Sequence, residues 1–95
     1  MRIYEGFDEK GQLTYFEVPN GFLTRKSAIG IIREIPDSQI VRVEIGEDIF
    51  CIFRLGGRVF ELMEPFGDSS RFHIGEPIVR YSPELRLLID KFSAH

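Results

Sequence analysis

With 95 residues, the chain has room for one compact domain spanning 1-95, because smaller pieces could not bury enough apolar surface without metals or disulfides. Its net charge of -3 is the wrong sign for a protein held mainly by nucleic-acid phosphates, which argues against that partner. Hydrophobic residues at 43%, with nine Phe and three Tyr, exclude an intrinsically disordered chain.

The first element expected is a β-hairpin over residues 2 to 18, formed by "MRIYEGF" and "LTYFEV" around the turn-forming "DEKGQ", with Asn20-Gly21 closing it. Thr24 then reads as an N-cap, and Ala28, Ile31, Ile32 and Ile35 recur at i, i+3, i+4 and i+7, which predicts a helix over 25 to 35 ended by Pro36. Gly30 inside it weakens the helix by about 1 kcal/mol relative to Ala and is expected where the helix approaches the sheet closely.

"IVRVEI" alternates, Val41, Val43 and Ile45 against Arg42 and Glu44, as a half-exposed strand does. "IFCIFRL" is apolar on both faces and reads as a central strand covered twice, with the lone Cys51 as a small buried hydrophobe. Gly56-Gly57 signals a two-residue hairpin into "RVFELME". "IVRY" is a candidate short edge strand. In "SPELRLLIDKF", Ser82 fits an N-cap, Pro83 the first helical position, and Leu85, Leu88, Ile89 and Phe92 an apolar stripe that leaves Leu87 outside. The fold class expected is α+β, an antiparallel sheet of five or six strands with two helices in the order ββαβββ(β)α.

The connection from Pro65 to Pro77 is long for a compact domain and is where a site would sit. Asp68, Ser69, Ser70, Arg71 and His73 form the candidate ligand- or anion-binding set, since a Gly-led turn can aim N–H groups, hydroxyls and a guanidinium at one point. The alternative is structural: turn caps at Asp68 and the serines, Arg71 paired with Glu64 or Glu76, and Phe66, Phe72 and Ile74 anchoring the loop. Ser, His and Asp are present, but crowded within six positions they make a poor triad, so no catalytic residues are assigned. No metal-ligand spacing and no cofactor motif is present.

Tyr4, Tyr15, Phe16 and Arg42 could in principle stack single-stranded nucleic acid, but the acidic balance opposes it. The apolar surplus is more telling, because β-strands with Leu13 and Tyr15 against Phe16 and Val18, or Phe60 and Leu62 against Val59 and Met63, exceed what two short helices can cover. If both helices share one face, the other meets a partner, the alternative being a sheet curled enough to bury both sets within one monomer. The reading is therefore a binding domain that associates with itself as a homodimer, or with another protein, the alternative being a small-ligand or anion-binding protein, or a minor enzyme, using residues 65-77. The opening residues show no secretory or acylation signal, and no apolar run approaches the roughly 20 residues of a helical membrane span. A cytoplasmic location is expected.

Overall fold

The computed structural model describes residues 1–65 and 70–95. The elements are β1 (Tyr4–Phe7), β2 (Leu13–Pro19), α1 (Arg25–Arg33), β3 (Gln39–Val43), β4 (Ile49–Leu55), β5 (Arg58–Met63), β6 (Arg71–Gly75) and α2 (Glu84–Ser93). They realise the expected α+β order as one antiparallel sheet, β1-β2-β6-β5-β4-β3.

Local chemistry makes the turns where the sequence places them. Gly56 and Gly57 adopt φ of 62 and 77°, the left-handed pair that a tight hairpin between right-twisted strands requires. In the β1–β2 turn Gly11 sits at φ 75°, and the Asp8 carboxylate accepts from the N–H groups of Lys10 and Gln12. The Thr24 hydroxyl accepts from the Ser27 N–H at 3.0 Å and caps α1 as expected. That helix stops at Arg33, but Ile35 still reaches the core from the following turn.

The sixth strand is not where "IVRY" suggested. Residues 78–81 are irregular, and β6 lies inside the supposed loop, inserted between β2 and β5. Phe72 and Ile74 point to the core while Arg71 and His73 alternate away from it. The short alternation was masked by the polar residues around it, and it became a central strand because β2 and β5 would otherwise both expose unpaired backbone.

Both helices lie on the same face of the sheet. Phe92 of α2 meets Phe16 of β2 edge-on at 5.7 Å, Phe50 meets Phe72 at 5.1 Å, and α1 packs beside α2 over a core that includes Ala28, Ile31, Ile32, Leu85, Leu88 and Phe92. Each of the Ile, Leu and Phe side chains among them stabilises the fold by about 1.5–3 kcal/mol through burial. Cys51 belongs to this core, where burial pushes its thiol up to about 11 and keeps it protonated. Leu87 is left exposed as expected. Among the described residues the opposite face has no helix on it, so β4 is not covered twice; Ile52 there is only half-buried. Among the described residues, no helix is long and apolar enough to cross a membrane.

Candidate functional site

The strand alternation sets one row of side chains on the uncovered face: Tyr4 and Gly6 of β1, Tyr15 and Glu17 of β2, Arg71, His73 and Gly75 of β6, and, further across, Val59, Glu61, Met63, Ile52 and Arg42. At its centre Tyr15 lies flat on the sheet. It can do so because its neighbours on both sides are glycines: a Cβ on Gly6 would stand 2.1 Å from the Tyr15 ring, and one on Gly75 3.2 Å from the Tyr15 Cβ. The ring then stacks on the His73 imidazole, centroids 4.8 Å apart and planes 23° from parallel.

Beside this pair, the Arg71 guanidinium covers the Tyr4 ring with its carbon 3.6 Å from the centroid, and Arg2 approaches the same ring at 4.9 Å. Glu17 accepts from Arg71 Nη1 at 3.4 Å. The result is a flat aromatic platform, Tyr4 and Tyr15 with His73, laced with charges of both signs. Such a surface offers stacking, apolar contact and hydrogen bonds together, the mixture found where proteins meet proteins.

His73 is held below its ordinary imidazole pKa, mainly because burial under Tyr15 strips water from the charged form, while Glu17 pulls the other way. The folded protein therefore binds this proton less readily than the unfolded chain. The associated stability is fully present above the unfolded value of about 6.5 and is lost as pH falls below it towards the lower folded value. We expect chemical-denaturation midpoints to decline from pH 7 towards 5.5 in the wild type. In His73→Gln that decline should flatten; an unchanged slope would show that other groups carry it.

Of the five residues the sequence singled out, Arg71 and His73 come together on this platform, two positions apart on β6. Ser70 lies in the exposed turn before it, its carbonyl accepting from the Asn20 N–H at 3.1 Å. Asp68 and Ser69, like Phe66 and Gly67, lie outside the described residues. The expected partners of Arg71 are corrected. Glu64 is taken by Arg25 at 2.8 Å and Glu76 by Arg58 and Arg80 at 3.2 and 2.9 Å, leaving Glu17, directly across the β2–β6 ladder from His73, within reach of Arg71. Of the set considered for nucleic acid, Tyr4, Tyr15 and Arg42 share the uncovered face, whereas Phe16 is in the core.

Sequence reasoning named Tyr15 and His73 separately but missed that they stack at the platform's centre between two glycines. The signal was the pair of strand glycines, Gly6 and Gly75, which mark places where another group comes close to the backbone. Gly30, by contrast, is not the close approach expected of it: a Cβ there would meet nothing within 4 Å. It borders a cleft of about 740 Å³ with Phe22, Leu23 and Ile31, and Phe22 on its rim is fully exposed. Among the described residues no three His, Cys, Asp or Glu side chains gather as metal ligands would. Compared with family models, curated proteins and solved structures, the chain matches none of them.

Proposed function

We propose that the protein is a small binding domain that engages a partner protein through the uncovered face of its sheet, in the cytoplasm. The observation that supports this reading is the placement of both helices on one face, which leaves Tyr4, Tyr15, Ile52, Val59, Met63 and His73 half-buried on the other with no described element over them. Half-exposed aromatics held rigidly by their neighbours lose little conformational freedom on binding, so they suit the anchor role in an interface. Charges of both signs, Glu17 and Glu61 beside Arg42 and Arg71, suit the polar surroundings of such anchors.

The test is native mass spectrometry of the protein purified gently from its own cells, with Tyr15→Glu and Val59→Glu alongside. A retained protein of fixed mass that both variants lose, while circular dichroism shows each still folded, is the expected result. Retention of a small molecule or an oligonucleotide in place of a protein would overturn the reading, as would a partner indifferent to both substitutions.

A further inference from the structure

A second surface has a different geometry. Among the described residues β3 forms one edge of the sheet, paired with β4, and Val41, Arg42 and Val43 are all exposed on it. Edge strands present unpaired backbone that templates association unless the fold blunts them. The opposite edge, β1, is blunted: it has four residues, and a register shift at Gly6/Phe7 bends it at its end. β3, of five residues, has its register shift at its middle, between Ile40 and Arg42, and from Arg42 the ladder continues through Val43 to Glu44, whose N–H donates to the Phe50 carbonyl at 3.0 Å before the turn begins. Because backbone groups alternate sides along a strand, Glu44 facing β4 aims the N–H and C=O of Val43 outward.

From these observations we infer that two copies of the chain pair antiparallel along β3 about a two-fold axis at Val43. The segment Arg42-Val43-Glu44 is complementary to itself in that register. Read against a reversed copy, Arg42 stands opposite the second copy's Glu44, Glu44 opposite its Arg42, and the two Val43 residues exchange backbone hydrogen bonds, while Ile45 stays in the turn that follows, its carbonyl held by Arg25. Moving the axis by one residue sets Arg42 against Arg42 or Glu44 against Glu44, and like charges directly opposite are unfavourable. Charge thus fixes the register. Within one chain Arg42 and Glu44 already stand 3.5 Å apart, 56% and 45% exposed, so neither is committed to the interior and the contact joins two such pairs into a four-charge cluster.

On the helix side, Val43 and Ile45 border a cleft of about 270 Å³ with Ile29, Lys26 and Arg33 of α1, which the second copy's Val43 would close. An isologous contact of this kind uses the same patch on both copies and terminates at two. It leaves the platform of Tyr15 and His73 open and continues the uncovered face from one sheet into the next, so it does not depend on the partner-binding reading above.

Analytical ultracentrifugation of the full chain, from micromolar to sub-millimolar concentration, tests it. The expected result is a monomer–dimer equilibrium weakened about tenfold by Arg42→Glu and likewise by Glu44→Arg, two charge pairs being reversed in each case. Mixing the two single variants should give a heterodimer tighter than either homodimer, since every cross-strand pair is then opposite in sign, and the double variant Arg42→Glu/Glu44→Arg should recover wild-type affinity. A wild type that stays monomeric, a dimer insensitive to Arg42→Glu, or single variants that do not prefer one another would overturn the inference. So would a dimer dissolved by Tyr15→Glu, which would assign the contact to the sheet face.

Discussion

Replacing Glu76 by alanine should cost the fold about 3 kcal/mol and lower its Tm by about 15 °C, read by thermal and urea unfolding. The side chain is 5% exposed and accepts from Arg80 through both Nε and Nη2, from Arg58 at 3.2 Å and from the Ser82 hydroxyl. It joins the end of β6 to the entry of α2. Ser82 was expected to cap α2; instead its hydroxyl serves Glu76, its carbonyl accepts from the Leu85 N–H, and the helix begins without a side-chain cap. The expected loss lies at the low end for a buried ion pair because Arg58 keeps the Tyr81 carbonyl and stands 3.7 Å from Glu84, while Arg80 can turn to water. Burial alone would raise the Glu76 pKa, but the hydrogen bonds from Arg80 and Ser82 and the charges of Arg80 and Arg58 outweigh it and hold the carboxyl below 4.5. Its contribution is therefore present above that value and lost as pH falls through the folded pKa, below the window in which His73 acts. Glu76→Gln, which keeps shape and loses charge, should fall between wild type and alanine. A loss under about 1 kcal/mol for alanine would mean the cluster behaves as an exposed pair.

Arg25→Ala should cost about 2 kcal/mol and loosen the β3–β4 turn, and Arg25→Lys should recover little of it. One guanidinium holds three elements together. It donates to Glu64 after β5 at 3.1 and 2.8 Å, to the Ile45 carbonyl at 2.5 Å and to the Glu47 carbonyl in the turn, and it lies 4.7 Å over the Phe50 ring. Lysine has one ammonium, which cannot meet a carboxylate with two N–H groups while reaching two carbonyls and covering a ring. Hydrogen exchange localises the effect: amides of residues 44–48 should exchange faster in both variants, while those of β6 stay protected. Uniform acceleration across the sheet would instead mean that Arg25 supports global stability only. Because this turn fixes the end of β3, either variant should also weaken pairing along that edge.

Much of the fold was legible. The Gly56-Gly57 hairpin, the Thr24 cap and the stripe Leu85, Leu88, Ile89 and Phe92 are local signals, in which a turn's dihedral demand or a helix's period is met by residues a few positions apart. The candidate site was legible only in part. Arg71 and His73 were picked out for a loop, yet they act from a strand, with partners Glu17, Tyr4 and Tyr15 more than fifty positions away in the chain. Nothing in the local spacing of "SSRFHIG" announces those neighbours.

The sequence by itself therefore determined the elements other than β6, the order of strands and helices, and the abundance of apolar side chains on alternating strand faces. It also contained, in Arg42-Val43-Glu44, a pattern complementary to its own reverse. Only the tertiary structure decided that β6 enters between β2 and β5, that both helices take one face, and that β3 is left at the edge. The physical reason is that periodicity and turn chemistry act within a few residues, whereas strand neighbours are chosen by satisfying backbone hydrogen bonds and burying apolar faces across the whole chain at once.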